Sequence, residues 1–431
     1  MEAVHKRLWN RDFSLLVFGQ IISLFGNMII SFALPIYVLD ISGSAALFGV
    51  VSGVPYISLL LLTPIGGIIA DRLRKQRIMF WLDASTTTLI VLYLIASGLT
   101  TSVIPIIIVK LLALNAIQGM YIPAVQSSVP VLIPTEKLTS GNAVVGVVNS
   151  LSSMIGLAVA GVMYSRFGLT PILIVSAICF LITAFMDLLI RIPYEKQDSS
   201  GGILNIVKGD ISQSFRFITK EKPILLKSVV MFFFLILLLT SILLIGVPVL
   251  IKRHLLLDME FVGISQSIMM VGGLVGGIIA GALGSKLNMR NSLMIIALGS
   301  IIIVAMGVTI IAQMPAFTAY IVLTATSALL FMTIQIFNIA AITFVQTETP
   351  TQLIGKVMSL IMILPFLAQG IGQVFYGALF ELLENKPWVI AFATAIMVAA
   401  IALLSRWVIT KDLRLSAETL SPPDSLPLTD T

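Results

Sequence analysis

Twelve long apolar runs dominate this chain of 431 residues and constrain its fold more than any other feature. A helix needs about 20 predominantly apolar residues to cross a bilayer. Only 11% of the residues are charged, against about 25% in soluble domains, so most of the surface must face lipid. The sequence therefore predicts an all-α polytopic membrane protein with twelve transmembrane helices, over 13–38, 46–70, 78–98, 103–128, 141–165, 170–192, 224–251, 260–284, 291–312, 315–345, 354–383 and 388–409.

Lysine and arginine are distributed unevenly between the two sides of the predicted membrane. If the N-terminus is placed in the cytoplasm, 21 of the 26 basic residues fall on the cytoplasmic side and four on the other. Cytoplasmic loops carry such an excess, so both termini are predicted to be cytoplasmic. The net charge of +6 is then a property of these loops and does not indicate a nucleic-acid partner.

Two sequence segments recur in the same order in the two halves of the chain. GGIIA occupies 66–70 and again 276–280, and a PT-initiated segment precedes both the fifth and the eleventh run, at 134 and 350. Repeats with matching orientation predict two six-helix bundles related by an axis along the membrane normal. The predicted domains are an N-terminal bundle over 1–192, a linker over 193–223, a C-terminal bundle over 224–414 and a tail over 415–431.

The predicted linker contains apolar residues at three- and four-residue spacing, namely Ile203, Val207, Ile211, Phe215 and Ile218. This pattern is typical of an amphipathic helix that lies on the inner membrane face, and equally of a simple connection between the bundles. The tail is rich in proline and serine, which predicts disorder.

The loop between the second and third runs reads GGIIADRLRKQR over 66–77. With the twelve runs and the repeat, it resembles the loop signature of the major facilitator superfamily, G-x3-D-[RK]-x-G-x-[RK]-[RK]. Gly67, Asp71 and Arg72 match, Arg74 stands where that family has a glycine, and Lys75 and Arg77 supply the trailing positive charge.

The loop residues suggest a conformational switch. Gly67 would permit close helix approach, and Asp71 would lie against the positive N-terminal end of another helix. The resemblance implies that this helix is the eleventh, which starts near 351–356. Arg72 and its neighbours would bridge to Asp83. The alternative is that the basic cluster only sets topology, although a topology signal does not need an acid.

Three further stretches, over 18–45, 122–138 and 353–360, resemble the macrolide-efflux and siderophore-exporter branch of the family, the third group of drug:proton antiporters. That resemblance implies a monomeric exporter of small molecules in the bacterial cytoplasmic membrane, driven by the proton gradient and without a cofactor. The alternatives are a dedicated exporter of a siderophore or other metabolite, and a non-transporting receptor or scaffold. Neither a catalytic set nor a Cys/His metal cluster is visible, so no enzyme and no metal site are expected.

Polar residues inside the runs are the candidates for a substrate cavity. Lys110, Asn115, Gln118 and Tyr121 share a sector of the fourth run that would face this cavity, with snorkelling to the interface as the alternative for Lys110. Asn115 stands where family members often carry an arginine linked to proton transfer, and Lys110 would substitute for it. The remaining candidates are amides, which would otherwise bond between helices: Gln20, Asn27, Asn149, Gln266, Gln335, Asn338, Gln369 and Gln373.

Acidic residues are absent from the middle of the runs. Asp187 lies four residues before Arg191, a spacing that predicts an ion pair at the end of a helix. A strongly cationic substrate would require a carboxylate near the midplane, so the sequence favours neutral or amphiphilic substrates.

Overall fold

The computed structural model describes residues 8–97, 103–193, 216–287, 289–312, 314–350 and 353–420. Within these ranges twelve helical segments are long and apolar enough to cross a membrane, which confirms the predicted fold class. We number them as spans 1 to 12. Ten are single helices: Arg11–Ser42, Lys75–Ser97, Val103–Leu132, Leu138–Phe167, Leu169–Leu189, Met259–Leu283, Met289–Ile311, Ala316–Glu348, Ile354–Leu382 and Pro387–Leu420.

Spans 2 and 7 are interrupted helices. Span 2 consists of Ala45–Gly53 and Tyr56–Arg72, which are joined at Val54 and Pro55. Span 7 begins with Pro223–Ser241 and continues to His254 through two wider, π-helical turns. Such turns often occur where a helix adapts its path to a functional site.

The same helix pairs pack together in both halves of the chain. Span 2 packs on span 4, span 3 on span 6 and span 1 on span 5; correspondingly, span 8 packs on span 10, span 9 on span 12 and span 7 on span 11. The halves meet where span 5 packs on span 8 and span 2 on span 11. These recurring pairs are what a duplicated six-helix bundle requires.

The repeated GGIIA segments make equivalent contacts in the two halves. A Cβ atom added at Gly66 would lie 2.5 Å from the Met120 Cα of span 4, and one at Gly276 would lie 2.5 Å from the Met332 carbonyl oxygen of span 10. The first glycine of each copy therefore makes the close approach that was predicted for Gly67. At Gly67 an added Cβ would meet only the Pro123 side chain, at 4.0 Å.

The connections differ from expectation in two places. Most of the linker, including the proposed amphipathic helix up to Phe215, lies outside the described residues, while Phe217 and Ile218 pack against the C-terminal half with Leu225 and Val345. The prediction of disorder from residue 415 is wrong for its first residues, because the last helix continues to Leu420. Residues 415–420 contain no helix breaker, and Pro422 is the first that follows.

Candidate functional site

A cavity of about 560 Å³ lies between the two halves. Spans 1, 2, 4 and 5 line it from the N-terminal half, and spans 7, 8, 10 and 11 line it from the C-terminal half. A volume of this size is in the range that holds a drug-sized molecule. The cavity is therefore the candidate binding site.

Eight of the predicted amide side chains line this cavity: Asn27, Asn115, Gln118, Gln266, Gln335, Asn338, Gln369 and Gln373. They come from both halves, so a bound molecule would contact both at once. The Tyr56 hydroxyl donates a hydrogen bond to Gln369 Oε1 at 3.0 Å, which joins spans 2 and 11 beside the cavity. None of the residues lining the cavity in the described part of the chain is charged.

Aromatic rings make up much of the remaining wall, and sequence reasoning missed them. Phenylalanines at six positions of spans 1, 2, 7, 10 and 11 face the cavity: Phe32, Phe48, Phe232, Phe331, Phe337 and Phe366. In a chain that is 58% hydrophobic, an aromatic residue that faces a cavity has the same sequence context as one that faces lipid. The wall is thus mostly apolar, with amides spaced around it.

Lys110 and Tyr121 do not line the cavity, in contrast to the prediction. Lys110 is buried inside the N-terminal half with its Nζ 4.0 Å from the centre of the Tyr93 ring, so it does not snorkel either. Successive residues of an α-helix are rotated by about 100° around its axis. On this basis, the residues of span 4 that line the cavity are centred roughly 100° away from the direction of Lys110. The predicted polar sector was thus too wide, and its Lys110 edge faces the neighbouring helices.

Gln20 and Asn149 also lie away from the cavity. Gln20 is buried and interacts with Tyr121 inside the N-terminal half. Asn149 is exposed and donates to the Val145 carbonyl of its own helix at 3.0 Å. Neither amide is therefore a cavity residue in this structure.

One end of the cavity is closed by contacts between the halves, and we call it the sealed end. It contains the ion pair between Lys252 Nζ and Asp40 Oδ1, at 2.7 Å. It also contains Glu381, whose Oε2 accepts a hydrogen bond from the Ala45 backbone N–H at 2.8 Å. Arg253 Nη1 lies 3.1 Å from the same carboxylate oxygen and holds it in place.

Backbone packing reinforces the sealed end. Spans 5 and 8 meet at Gly161 and Gly263, where a Cβ on Gly263 would lie 2.7 Å from the Gly161 Cα. Spans 2 and 11 meet at Gly49 and Gly377, where a Cβ on Gly49 would lie 2.8 Å from the Gly377 Cα. Only glycine allows two helix backbones to approach this closely.

The predicted switch loop is only partly described. Lys75 Nζ donates to the Ser127 carbonyl oxygen of span 4 at 2.7 Å, while Arg74 and Arg77 are exposed. The side chain of Asp71 and the start of span 11 at 351–352 lie outside the described residues, so the proposed contact between them stays a prediction.

The acids of spans 3 and 6 are not where the sequence suggested. Asp83 is buried and contacts Thr183 of span 6, and no ion pair joins it to the basic loop among the described residues. Asp187 is also buried and faces Asp83 instead of pairing with Arg191. Both carboxylates point inward, because span 3 packs along span 6.

The cavity wall predicts a pattern of chemical accessibility. In a Cys179→Ser background, which removes the single native cysteine, Met270→Cys will react with a water-soluble maleimide because Met270 lines the cavity. Met269→Cys is the matched control, since Met269 is 1% exposed and absent from the wall. Equal labelling of the two variants would contradict the assigned wall.

Comparison with known proteins identifies similar chains. The family model described as Major Facilitator Superfamily matches residues 16–364. Macrolide efflux protein A of Streptococcus pyogenes is 23% identical over 408 residues, covering 91% of this chain and 95% of that protein.

Solved structures with the same fold are also transporters. The match to a mutant of the nucleoside transporter NupG has a TM-score of 0.71 at 15% identity and covers 93% of this chain and 98% of that one. The match to an inward-facing bacterial homologue of the iron transporter ferroportin has a TM-score of 0.68 at 15% identity and covers 92% and 98%. At such identities the likeness shows the fold.

Proposed function

The chain belongs to the Major Facilitator Superfamily, and from that premise we propose that it exports neutral or amphiphilic small molecules in exchange for protons. Membership makes it a multi-pass membrane transporter of small molecules and not an enzyme, as the sequence predicted. The distant likeness to a macrolide efflux protein supports a macrolide-like or multidrug substrate and a bacterial cytoplasmic membrane.

The observation that carries this proposal is the wall of the cavity. It combines aromatic rings with amides that donate and accept hydrogen bonds, and no charged side chain is among its described residues. Such a wall suits a large molecule with a hydrophobic surface and scattered oxygens, because burying a net charge there would leave it without a counter-ion. A strongly cationic substrate is disfavoured for the same reason.

Alternating access follows from the contacts between the halves. We assign the sealed end to the outer side, in line with the cytoplasmic termini predicted from the basic loops. Outward opening must then separate Gly161 from Gly263 and Glu381 from Ala45. In that opposite state Asp71 and Arg72 would hold the cytoplasmic side closed, as the switch prediction requires.

Accumulation of a labelled macrolide and of a fluorescent dye in an efflux-deficient bacterial host tests the proposal. Cells that express the wild-type protein will accumulate less of either compound than vector controls, and a protonophore will abolish the difference. Asp71→Asn will behave like the vector despite normal membrane expression, because the switch needs the negative charge.

Two results would contradict the proposal. Accumulation that matches the vector for both probes, with confirmed membrane expression, would exclude multidrug export and favour a dedicated metabolite exporter or a receptor. An effect of the wild-type protein that survives the protonophore would exclude proton coupling.

A further inference from the structure

Two carboxyl groups are buried together inside the N-terminal half, outside the cavity. Asp83 on span 3 and Asp187 on span 6 are each 2% exposed, and the two carboxylates interact electrostatically. Within the part of the chain that the structure describes, the Oδ2 atom of each has no hydrogen-bond partner. A buried oxygen without a partner is costly, and two such oxygens on neighbouring acids need an explanation.

The groups that the structure describes around the pair are neutral. Thr183 contacts Asp83, and Tyr121 of span 4 faces both carboxylates. From span 1, the polar side chains of Gln20 and Ser23 lie near the Tyr121 hydroxyl. Among the described residues, spans 2 and 5 bring no ionisable group to the pair, and no lysine or arginine contacts it.

The absence of a described counter-ion decides what can stabilise this arrangement. Two ionised carboxylates in a buried site repel each other and lose their hydration. Without a cation nearby, nothing offsets the free energy that this repulsion and desolvation cost. A proton bound to one carboxylate oxygen removes one charge, and with it the repulsion between the two acids. Paired acids in enzymes share a proton for this reason.

We propose that Asp83 and Asp187 form a proton-binding site within the N-terminal half, separate from the substrate cavity. One proton binds to a carboxylate oxygen to form a carboxylic acid, and the same O–H bond breaks when the proton leaves. The part that this site plays in transport rests on the proposed exchange of protons for substrate. The cavity wall shows no described carboxylate, so the proton and the substrate occupy different places.

Tyr121 connects this site to the cavity. Its hydroxyl interacts electrostatically with both carboxylates, while Gln118 and Ile122, on the adjoining face of the same helix, line the cavity. Losing the proton adds a negative charge beside Tyr121 and changes what its hydroxyl can donate to. Proton binding therefore changes the position of span 4, and with it the shape of the cavity wall.

Infrared spectroscopy of the purified full-length protein tests the site without any substrate. The C=O stretch of a protonated carboxylic acid is separate from the bands of a carboxylate. We expect the wild-type protein at neutral pH to show this stretch, and the double variant Asp83→Asn/Asp187→Asn to lose it. Glu136→Gln is the matched control, because Glu136 is an exposed acid between spans 4 and 5, and it will retain the band.

The outcomes separate this inference from the proposed function. A wild-type spectrum without the protonated band, or a band that persists in a correctly folded double variant, would overturn the proton site. If the double variant does not fold, titration of the wild-type protein to high pH decides the matter: a protonated band that disappears on deprotonation supports the site, and a band that does not titrate overturns it. A band lost as expected, in a protein that moves no substrate, would keep the proton site and overturn only the proposed exchange.

Discussion

Gly263→Ala will reduce export of a labelled macrolide by about tenfold, whereas Gly277→Ala on the same helix will leave it near the wild-type rate. The added Cβ at position 263 would lie 2.6 Å from the Leu157 carbonyl oxygen and 2.7 Å from the Gly161 Cα. Both are backbone atoms of span 5, so neither can rotate away. At Gly277 an added Cβ meets nothing within 4 Å.

The size of this effect follows from where the clash occurs. Overpacking costs about 1–3 kcal/mol, and about 1.4 kcal/mol changes an equilibrium tenfold. The Gly161–Gly263 contact joins the two halves, so the clash destabilises only the state in which the sealed end is closed. Equal export by the two alanine variants, at equal expression, would show that transport does not require this end to close.

Glu381→Ala will shift the protein toward the conformation in which the sealed end is open, by about fivefold in population. The carboxylate accepts the Ala45 N–H at the N-terminus of the helix Ala45–Gly53 and also pairs with Arg253. A charged acceptor at a helix N-terminus contributes roughly 1 kcal/mol when partly exposed. This contact joins span 11 to span 2, so its loss destabilises only the closed end.

Spin labels at the sealed end measure this shift. Phe167→Cys and Phe317→Cys, in the Cys179→Ser background, place labels on exposed residues at the ends of spans 5 and 10. Double electron–electron resonance will show a larger long-distance population in Glu381→Ala. Glu384→Ala is the matched control, since it removes a second partner of Arg253 and keeps the bond to Ala45. If both variants give the wild-type distances, the Glu381 contact does not stabilise the closed state of the sealed end.

The architecture was predictable because the membrane restricts what an apolar chain can form. Helices alone satisfy their own backbone hydrogen bonds within each span, so length and composition identify them. The repeated GGIIA segment also predicted the duplicated bundle, and its first glycine packs closely against the equivalent helix in each half. The same logic failed at residues 415–420, where composition indicated disorder and the helix continues to Leu420.

The site was predictable only in part, because polarity marks a buried group without saying what it faces. Eight of the amides line the cavity, as predicted, yet Gln20 is equally polar and lies inside the N-terminal half. Asp83 and Asp187 are far apart in sequence, and their neighbours suggested ion pairs with Arg72 and Arg191. Only the packing of span 3 on span 6 brings them together.

The most direct test of the central claim uses the purified protein in liposomes with an acidic interior. If the protein exchanges protons for substrate, these vesicles will accumulate a labelled macrolide, and a protonophore will stop the accumulation. Asp83→Asn/Asp187→Asn will lose the dependence on the gradient. Accumulation no greater than in protein-free liposomes, or unchanged by the protonophore, would contradict the account.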